Sequence, residues 1–192
     1  MKEASILLTR QQLGSSMLPA VAVEAGCSEA LTRELRAAAS AARFDRFDLA
    51  HWGRYDVSND EPPRDALAAL VGVAAACVGT PLERVMHRWV RLGRGDYALV
   101  RDDRARFERL SPHGYDVVVD LSETASGEAE IVFTHRGQAF FTMPQRPREI
   151  AFVRRGPTVQ RYARYLTHRV GDRSVLRLEL GLVPRKDALG AA

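Results

Sequence analysis

The side chains able to do chemistry are unevenly spread along this chain. Between His135 and Arg177 lie ten arginines, at positions 136, 146, 148, 154, 155, 161, 164, 169, 173 and 177, against two acids, Glu149 and Asp172. The whole chain carries a net charge of only +4, so this excess is local. Such a segment must meet an anion or spread its charge over solvent. Three readings stay open: a solvated arginine-rich surface, a site for an anionic cosubstrate or carboxylate ligand, and a nucleic-acid face. The last has charge but no recognised nucleic-acid motif. Cys27 and Cys77 are too few and too poorly spaced for a zinc site or a disulfide framework, and read as buried thiols. No His-x-Glu-x-x-His, Cys-x-x-Cys, phosphate-binding Gly-rich loop or Gly-x-Ser-x-Gly occurs. Zinc hydrolysis, nucleoside triphosphate binding and serine hydrolase chemistry therefore have no support.

One segment carries a more specific signal. Gly95-Asp96-Tyr97-Ala98-Leu99-Val100-Arg101-Asp102-Asp103 resembles the Gly-Asp-Tyr-Leu-Leu-x-His-x-Asp strand of the prolyl-hydroxylase-like 2-oxoglutarate/iron(II) oxygenases. Later segments follow the same family's order. Tyr115 to Ser122 resembles its hydrophobic strand, Ser126 to Phe133 its Gly-Gly-Glu-Leu-x-Phe strand, and Met143 to Phe152 its proline turn and following strand. Val159 to His168 and Arg173 to Val183 resemble its closing hairpin. The resemblance covers roughly residues 84 to 183.

The resemblance implies a fold, two cofactors and a set of site residues. Iron(II) and 2-oxoglutarate would be the cofactors, and oxidative decarboxylation of 2-oxoglutarate would drive hydroxylation of a bound substrate. Asp103 matches the family's metal carboxylate, and His168 is the candidate for the second metal histidine. Arg173 or Arg177 would fork onto the distal carboxylate of 2-oxoglutarate, and Tyr97 matches a tyrosine that reaches the cosubstrate. Arg101 stands where the first metal histidine belongs. A neutral imidazole has a lone pair for iron, whereas a guanidinium is cationic and has none, so Arg101 cannot replace it. Each residue has a plainer role open to it: Asp103 as a turn acid, Tyr97 as a core aromatic, Arg173 and Arg177 as exposed strand arginines.

The elements that must position these residues read as α+β. Ser28, with Glu29 and Glu34 in the early turns and Leu31, Leu35 and Ala38 at helical spacing, predicts a helix from about 28 to 42. A second helix, about 63 to 78, starts at Pro63, runs through Ala66, Leu67, Leu70, Val71 and Ala74, and stops at Gly79. Its broad apolar stripe predicts packing on a sheet. Ser5 to Thr9 suits a short strand. From residue 82 the pattern turns to strands, punctuated by Gly93, Gly95, Gly114, Gly127, Gly137, Pro144, Gly156 and Gly171. Helices first and many short strands after predict a double-stranded β-helix, or jelly-roll, barrel over about 82–183, supported by a helical and mixed segment over about 1–80. The 192 residues suit a single domain, 1–192. No apolar run reaches the roughly 18 residues that cross a bilayer, and a cytoplasmic location is expected.

Strand parity bears on His168. In the last strand Ser174, Leu176, Leu178, Leu180 and Leu182 share one face, taken as the core face, and Arg173, Val175, Arg177 and Glu179 share the other. A two-residue turn at Gly171-Asp172 would pair Val170 with Arg173 and His168 with Val175, pointing His168 away from the leucines. A three-residue turn would reverse every assignment. Two functions follow from different classes. One is an oxygenase, atypical or degenerate at its metal; the other is a metal-free jelly-roll module that binds a small-molecule or anionic ligand or a protein partner.

Overall fold

The computed structural model describes residues 11, 13, 20–24, 26–107, 114–125, 128–143 and 145–185. The strand expected at Ser5 to Thr9 lies outside these residues. Eleven strands are described: β1 Ala20–Val23, β2 Asp45–Leu49, β3 Gly53–Ser58, β4 Leu82–Leu92, β5 Tyr97–Ala98, β6 Tyr115–Asp120, β7 Ile131–His135, β8 Gln138–Met143, β9 Ile150–Arg154, β10 Val159–Ala163 and β11 Val175–Pro184. Three helices join them: α1 Glu29–Ala41, α2 Arg64–Val78 and α3 Val100–Phe107.

Both expected helices form for the reasons their sequences give. The Ser28 hydroxyl accepts the Leu31 N–H at 3.2 Å and so satisfies one of the four unpaired donors at the start of α1. Pro63 sits just ahead of α2, one position earlier than expected. Gly79, at φ 80°, closes α2 in the left-handed conformation and returns its N–H to Ala75. Leu35 and Ala39 of α1, and Ala66, Leu70, Ala74 and Cys77 of α2, are buried. They pack against Trp89, Val117, Val119, Ile150, Phe152, Leu178, Leu180 and Leu182.

The strands run in the order β1-β9-β6-β11-β4-β3-β5-β10-β7-β8, with β2 on β3, and every printed pairing is antiparallel. The molecule is a nearly closed jelly-roll barrel. One wall is built from β1, β9, β6, β11, β4 and β3, with the helices on its outer face; the other comprises β5, β10, β7 and β8. Side chains from both walls meet between them. Val118 and Ala151 of the first wall join Ile131, Phe133 and Met143 of the second in one apolar cluster. Tyr55, Val90, Leu92 and Val175 join Ala129 and Leu166 in another.

Three expectations require correction. First, β10 and β11 do not form a hairpin: β10 pairs with β7 and β5, while β11 pairs with β4 and β6. They belong to opposite walls, and the 3-10 turn His168–Val170 with Gly171 at φ 64° carries the chain between them. The register assigned to His168 from a two-residue turn therefore does not exist. Second, the face of β11 opposite its leucines is buried too: Val175, Arg177 and Glu179 are at most 4% exposed. The leucines cover the outside of the wall beneath the helices, and the other face looks into the barrel. Third, the strand beginning at Tyr97 stops at Ala98, and Arg101, Asp102 and Asp103 lie in α3. Two acids in the first turn suit a helix N-terminus, where the backbone dipole is positive. The Leu99 carbonyl accepts from the N–H groups of both Asp102 and Asp103.

Candidate functional site

Inside the barrel, alternation along the strands aims charge at charge. Glu179 of β11 stands opposite Arg88 of β4, and Arg177 opposite Asp120 of β6. Directly paired residues share a face, so these four side chains line one interior surface. Asp116 lies two pairs further along β6. Arg161 of β10 enters from the second wall, Arg155 follows β9, and α3 delivers Asp102 and Asp103. All nine of these charged residues are buried.

Their contacts make a continuous network centred on Arg161. Its Nη2 lies 2.5 Å from Glu179 Oε2, its Nε 3.2 Å from Asp103 Oδ1, and its Nη1 3.5 Å from Asp116 Oδ2. Its main-chain N–H also donates to Asp103 Oδ2 at 3.0 Å. Arg155 bridges Asp103 Oδ2 at 2.7 Å and Asp116 Oδ2 at 3.3 Å. On the other side Arg88 holds Glu179 at 2.5 Å and Asp102 at 3.3 Å. The Tyr55 hydroxyl donates to Asp102 Oδ1 at 2.7 Å, and the Arg88 guanidinium lies 5.6 Å from the Tyr55 ring centre. Arg177 donates from Nη2 to the Ala129 carbonyl at 2.5 Å.

Burial opposes ionisation of each of these groups, and the ion pairs decide which of them keep their charge. Burial pushes the Glu179 carboxyl up, but Arg161 and Arg88 outweigh it and hold it down at about 2. Burial lowers Arg161, and Glu179, Asp116 and Asp103 more than reverse this. At Asp116 desolvation wins over Arg155 and Arg161, and the carboxyl is raised. Asp120 and Glu149 are raised by burial as well, and Arg177 is lowered by it. Four guanidiniums face five carboxylates, so a raised carboxyl moves the interior toward neutrality. The space left beside Arg88, Asp102, Asp103, Arg161 and Glu179 is about 20 Å³, room for about one water molecule.

The residues singled out from the sequence separate in the fold. Asp103 lies at the hub. Arg177 lies inside the barrel, bonded to Ala129. Arg173 is exposed and lines an outer cleft of about 540 Å³ with Arg36, Ser122, Glu123, Thr124 and Ser174. Tyr97 turns to the β2–β3 hairpin, where its hydroxyl donates to the Ala50 carbonyl at 3.0 Å. His168 sits in an exposed turn with its Nε2 3.1 Å from the Tyr165 hydroxyl. Arg101 is exposed, with its guanidinium 5.7 Å from the Trp52 ring centre. Among the described residues no three His, Cys, Asp or Glu side chains are arranged to hold a metal.

The Gly-Asp of the motif has a structural duty here. Asp96 is buried and accepts from the Gly93 N–H at 2.8 Å and from both Nη atoms of Arg46, at 3.0 and 2.5 Å. It fastens the β2–β3 hairpin to the turn after β4, and Gly95 at φ 86° makes that turn possible. Sequence reasoning missed Arg88, Asp102, Asp116, Arg155, Arg161 and Glu179 as members of one site. The signal was present as charges at period two within apolar strands, such as Asp116 and Asp120 around Val117–Val119, or Arg177 and Glu179 among leucines.

Solved structures with the same architecture span nearly the whole chain. An oxidoreductase of the 2OG-Fe(II) oxygenase family from Burkholderia pseudomallei superposes with TM-score 0.70 at 10% identity, covering 94% of this chain and 92% of its own. The chain has the fold of the 2-oxoglutarate/iron(II) oxygenases. A Pseudomonas putida prolyl-4-hydroxylase gives TM-score 0.68 at 12% identity, covering 93% of this chain and 100% of its own. The non-heme alpha ketoglutarate dependent epimerase SnoN from nogalamycin biosynthesis gives 0.70 at 14%, covering 95% and 84%. No family model and no curated protein sequence matches the chain. Identities this low support the shared fold and leave the activity to the site itself.

Proposed function

We propose that this oxygenase-type barrel acts as a binding module and does not use iron. The observation that carries this reading is the environment of Asp103, the residue aligned with the family's metal carboxylate. Both of its oxygens face guanidiniums, Arg155 and Arg161, at 2.7 to 3.2 Å. The other side chains around it bring positive charge without a lone pair to donate, and an iron site needs histidine nitrogen beside the carboxylate. These residues do not suit iron(II). A cavity the size of one water also leaves no room for 2-oxoglutarate within the hub.

The ligand of such a module would sit outside the barrel. The cleft of about 540 Å³ between α1 and the segments 121–124 and 172–174 falls within the usual range of small-molecule sites. The Arg36 guanidinium spans the Leu121 and Ser122 carbonyls there, and Arg173 offers an exposed fork suited to a carboxylate. The nucleic-acid reading loses its footing. Arg155, Arg161 and Arg177 of the arginine-rich segment are turned inward, while Arg148 pairs with Glu29 and Arg164 with Glu130. The anion which that segment meets is in large part the protein's own carboxylates. No helix among the described residues is long and apolar enough to cross a membrane.

The test is anaerobic calorimetry of the purified chain with iron(II) and 2-oxoglutarate, followed by an assay for 2-oxoglutarate turnover in air. Neither binding nor turnover is expected. Stoichiometric iron uptake, or 2-oxoglutarate consumption that depends on the protein, would return the chain to the working oxygenases. In parallel, a panel of small mono- and dicarboxylates is screened by thermal shift, and Arg173→Ala should abolish any stabilisation found.

A further inference from the structure

We infer that the guanidinium of Arg161 takes the part of a metal ion, so that the metal-free barrel is the finished state of this protein and a divalent-cation site is latent beneath that one side chain. The inference rests on the reading of a barrel that works without iron, and goes further by assigning the cation that replaces it. Three carboxylates from three separate elements, Asp103 of α3, Asp116 of β6 and Glu179 of β11, surround Arg161 at 2.5 to 3.5 Å. Each meets a different nitrogen, so Arg161 is shared among three anions as a metal shares its ligands. It is 4% exposed, and the three acids are 1 to 4% exposed.

A carboxylate shell buried to this degree needs a positive centre. Arg161 supplies it covalently, from the middle of a strand, with its own N–H holding Asp103 in place. Arg155 and Arg88 brace the outer sides of the shell but do not span it: Arg155 reaches Asp103 and Asp116, and Arg88 reaches Glu179 and Asp102. Removing the Arg161 side chain would leave three acids facing one vacated space. Such a group either takes up protons or recruits a cation, and an all-oxygen set favours a hard divalent ion such as Mn(II).

The experiment is titration of native protein, Arg161→Ala and Arg161→Lys with MnCl₂ at pH 7.5, read by calorimetry and by thermal melting with and without chelator. The native protein and Arg161→Lys, which keeps a cation in the space, should take up no Mn(II) and melt identically with chelator. Arg161→Ala should bind Mn(II) at least about tenfold more tightly than the native chain, and adding Asp103→Asn to it should abolish the uptake. Recovery of a cooperative melt on adding Mn(II), in an Arg161→Ala protein unfolded without it, is the same result. A folded Arg161→Ala that ignores Mn(II) would overturn the inference while leaving the binding-module reading intact. If Arg161→Ala stays unfolded even with Mn(II), Arg161→Lys decides: a folded, chelator-insensitive protein upholds the inference, and an unfolded or Mn(II)-binding one overturns it. Iron uptake with 2-oxoglutarate turnover by the native chain would instead sink the reading on which it rests.

Discussion

Replacing Glu179 by glutamine tests whether the ion-pair hub holds the two walls of the barrel together. Glu179 Oε2 accepts from Arg88 on the neighbouring strand and from Arg161 on the opposite wall, both at 2.5 Å. Glutamine keeps the volume and one acceptor but removes the charge, leaving two buried guanidiniums facing each other. The carboxyl falls from its ordinary 4.5 to about 2; at about 1.4 kcal/mol per unit this is a stabilisation of about 3 kcal/mol. Breaking one partner of a buried pair costs about 3–5 kcal/mol, in agreement. For a chain of this size each kcal/mol moves Tm by about 2–4 °C, so Glu179→Gln should melt roughly 10 °C lower. Urea unfolding at pH 7 measures the same loss directly.

The pH profile supplies an independent check. A depressed carboxyl contributes stability that is present above its ordinary value and lost as pH falls through its folded value, so Glu179 should cost the native protein stability between about 4.5 and 2. The raised groups act in the opposite sense. The contributions of Asp116, Asp120 and Glu149 are complete below their ordinary values and are lost as pH rises through their raised folded values. Native stability should therefore rise on mild acidification and then fall steeply. In Glu179→Gln the steep acid limb should flatten. A loss below about 1 kcal/mol at pH 7, the range of an exposed ion pair, together with an unchanged acid limb, would refute the argument.

Three further outcomes follow from the same geometry. Tyr55→Phe removes a buried hydroxyl that donates to Asp102 at 2.7 Å and should cost about 1–3 kcal/mol in chemical denaturation. Leu180→Ala, on the outer face of β11 where the leucines pack with the helices, should cost about 2–5 kcal/mol through the cavity it leaves; a smaller loss would mean that the helices close onto the sheet. His168→Ala, in an exposed turn against Tyr165, should change stability by no more than about 0.5 kcal/mol and leave ligand-induced thermal shifts as they are.

What the sequence determined by itself is whatever depends on neighbours a few residues away. Ser28, Pro63 and Gly79 mark helix ends because caps and left-handed turns are satisfied within one turn of backbone. The spacing of Leu31 and Leu35, or of Ala66, Leu70 and Ala74, marks the face to be buried for the same reason. The order of strands and turns after residue 82 was enough to indicate the jelly roll. The Gly95–Asp103 motif indicated the family of folds, although in this chain Asp96 clamps a hairpin and Arg101 faces outward. Tertiary structure decided everything that required two walls to meet. That β10 and β11 lie on opposite sides of the barrel is not visible in either strand, since both alternate as hairpin partners would. That Arg177 and Glu179 face an ionic interior follows only once the other face of β11 is covered by helices and the barrel has closed. The hub draws on β4, α3, β6, the end of β9, β10 and β11, spanning residues 88 to 179. Its members attract one another through space over a few ångströms, a distance that separation along the chain does not encode.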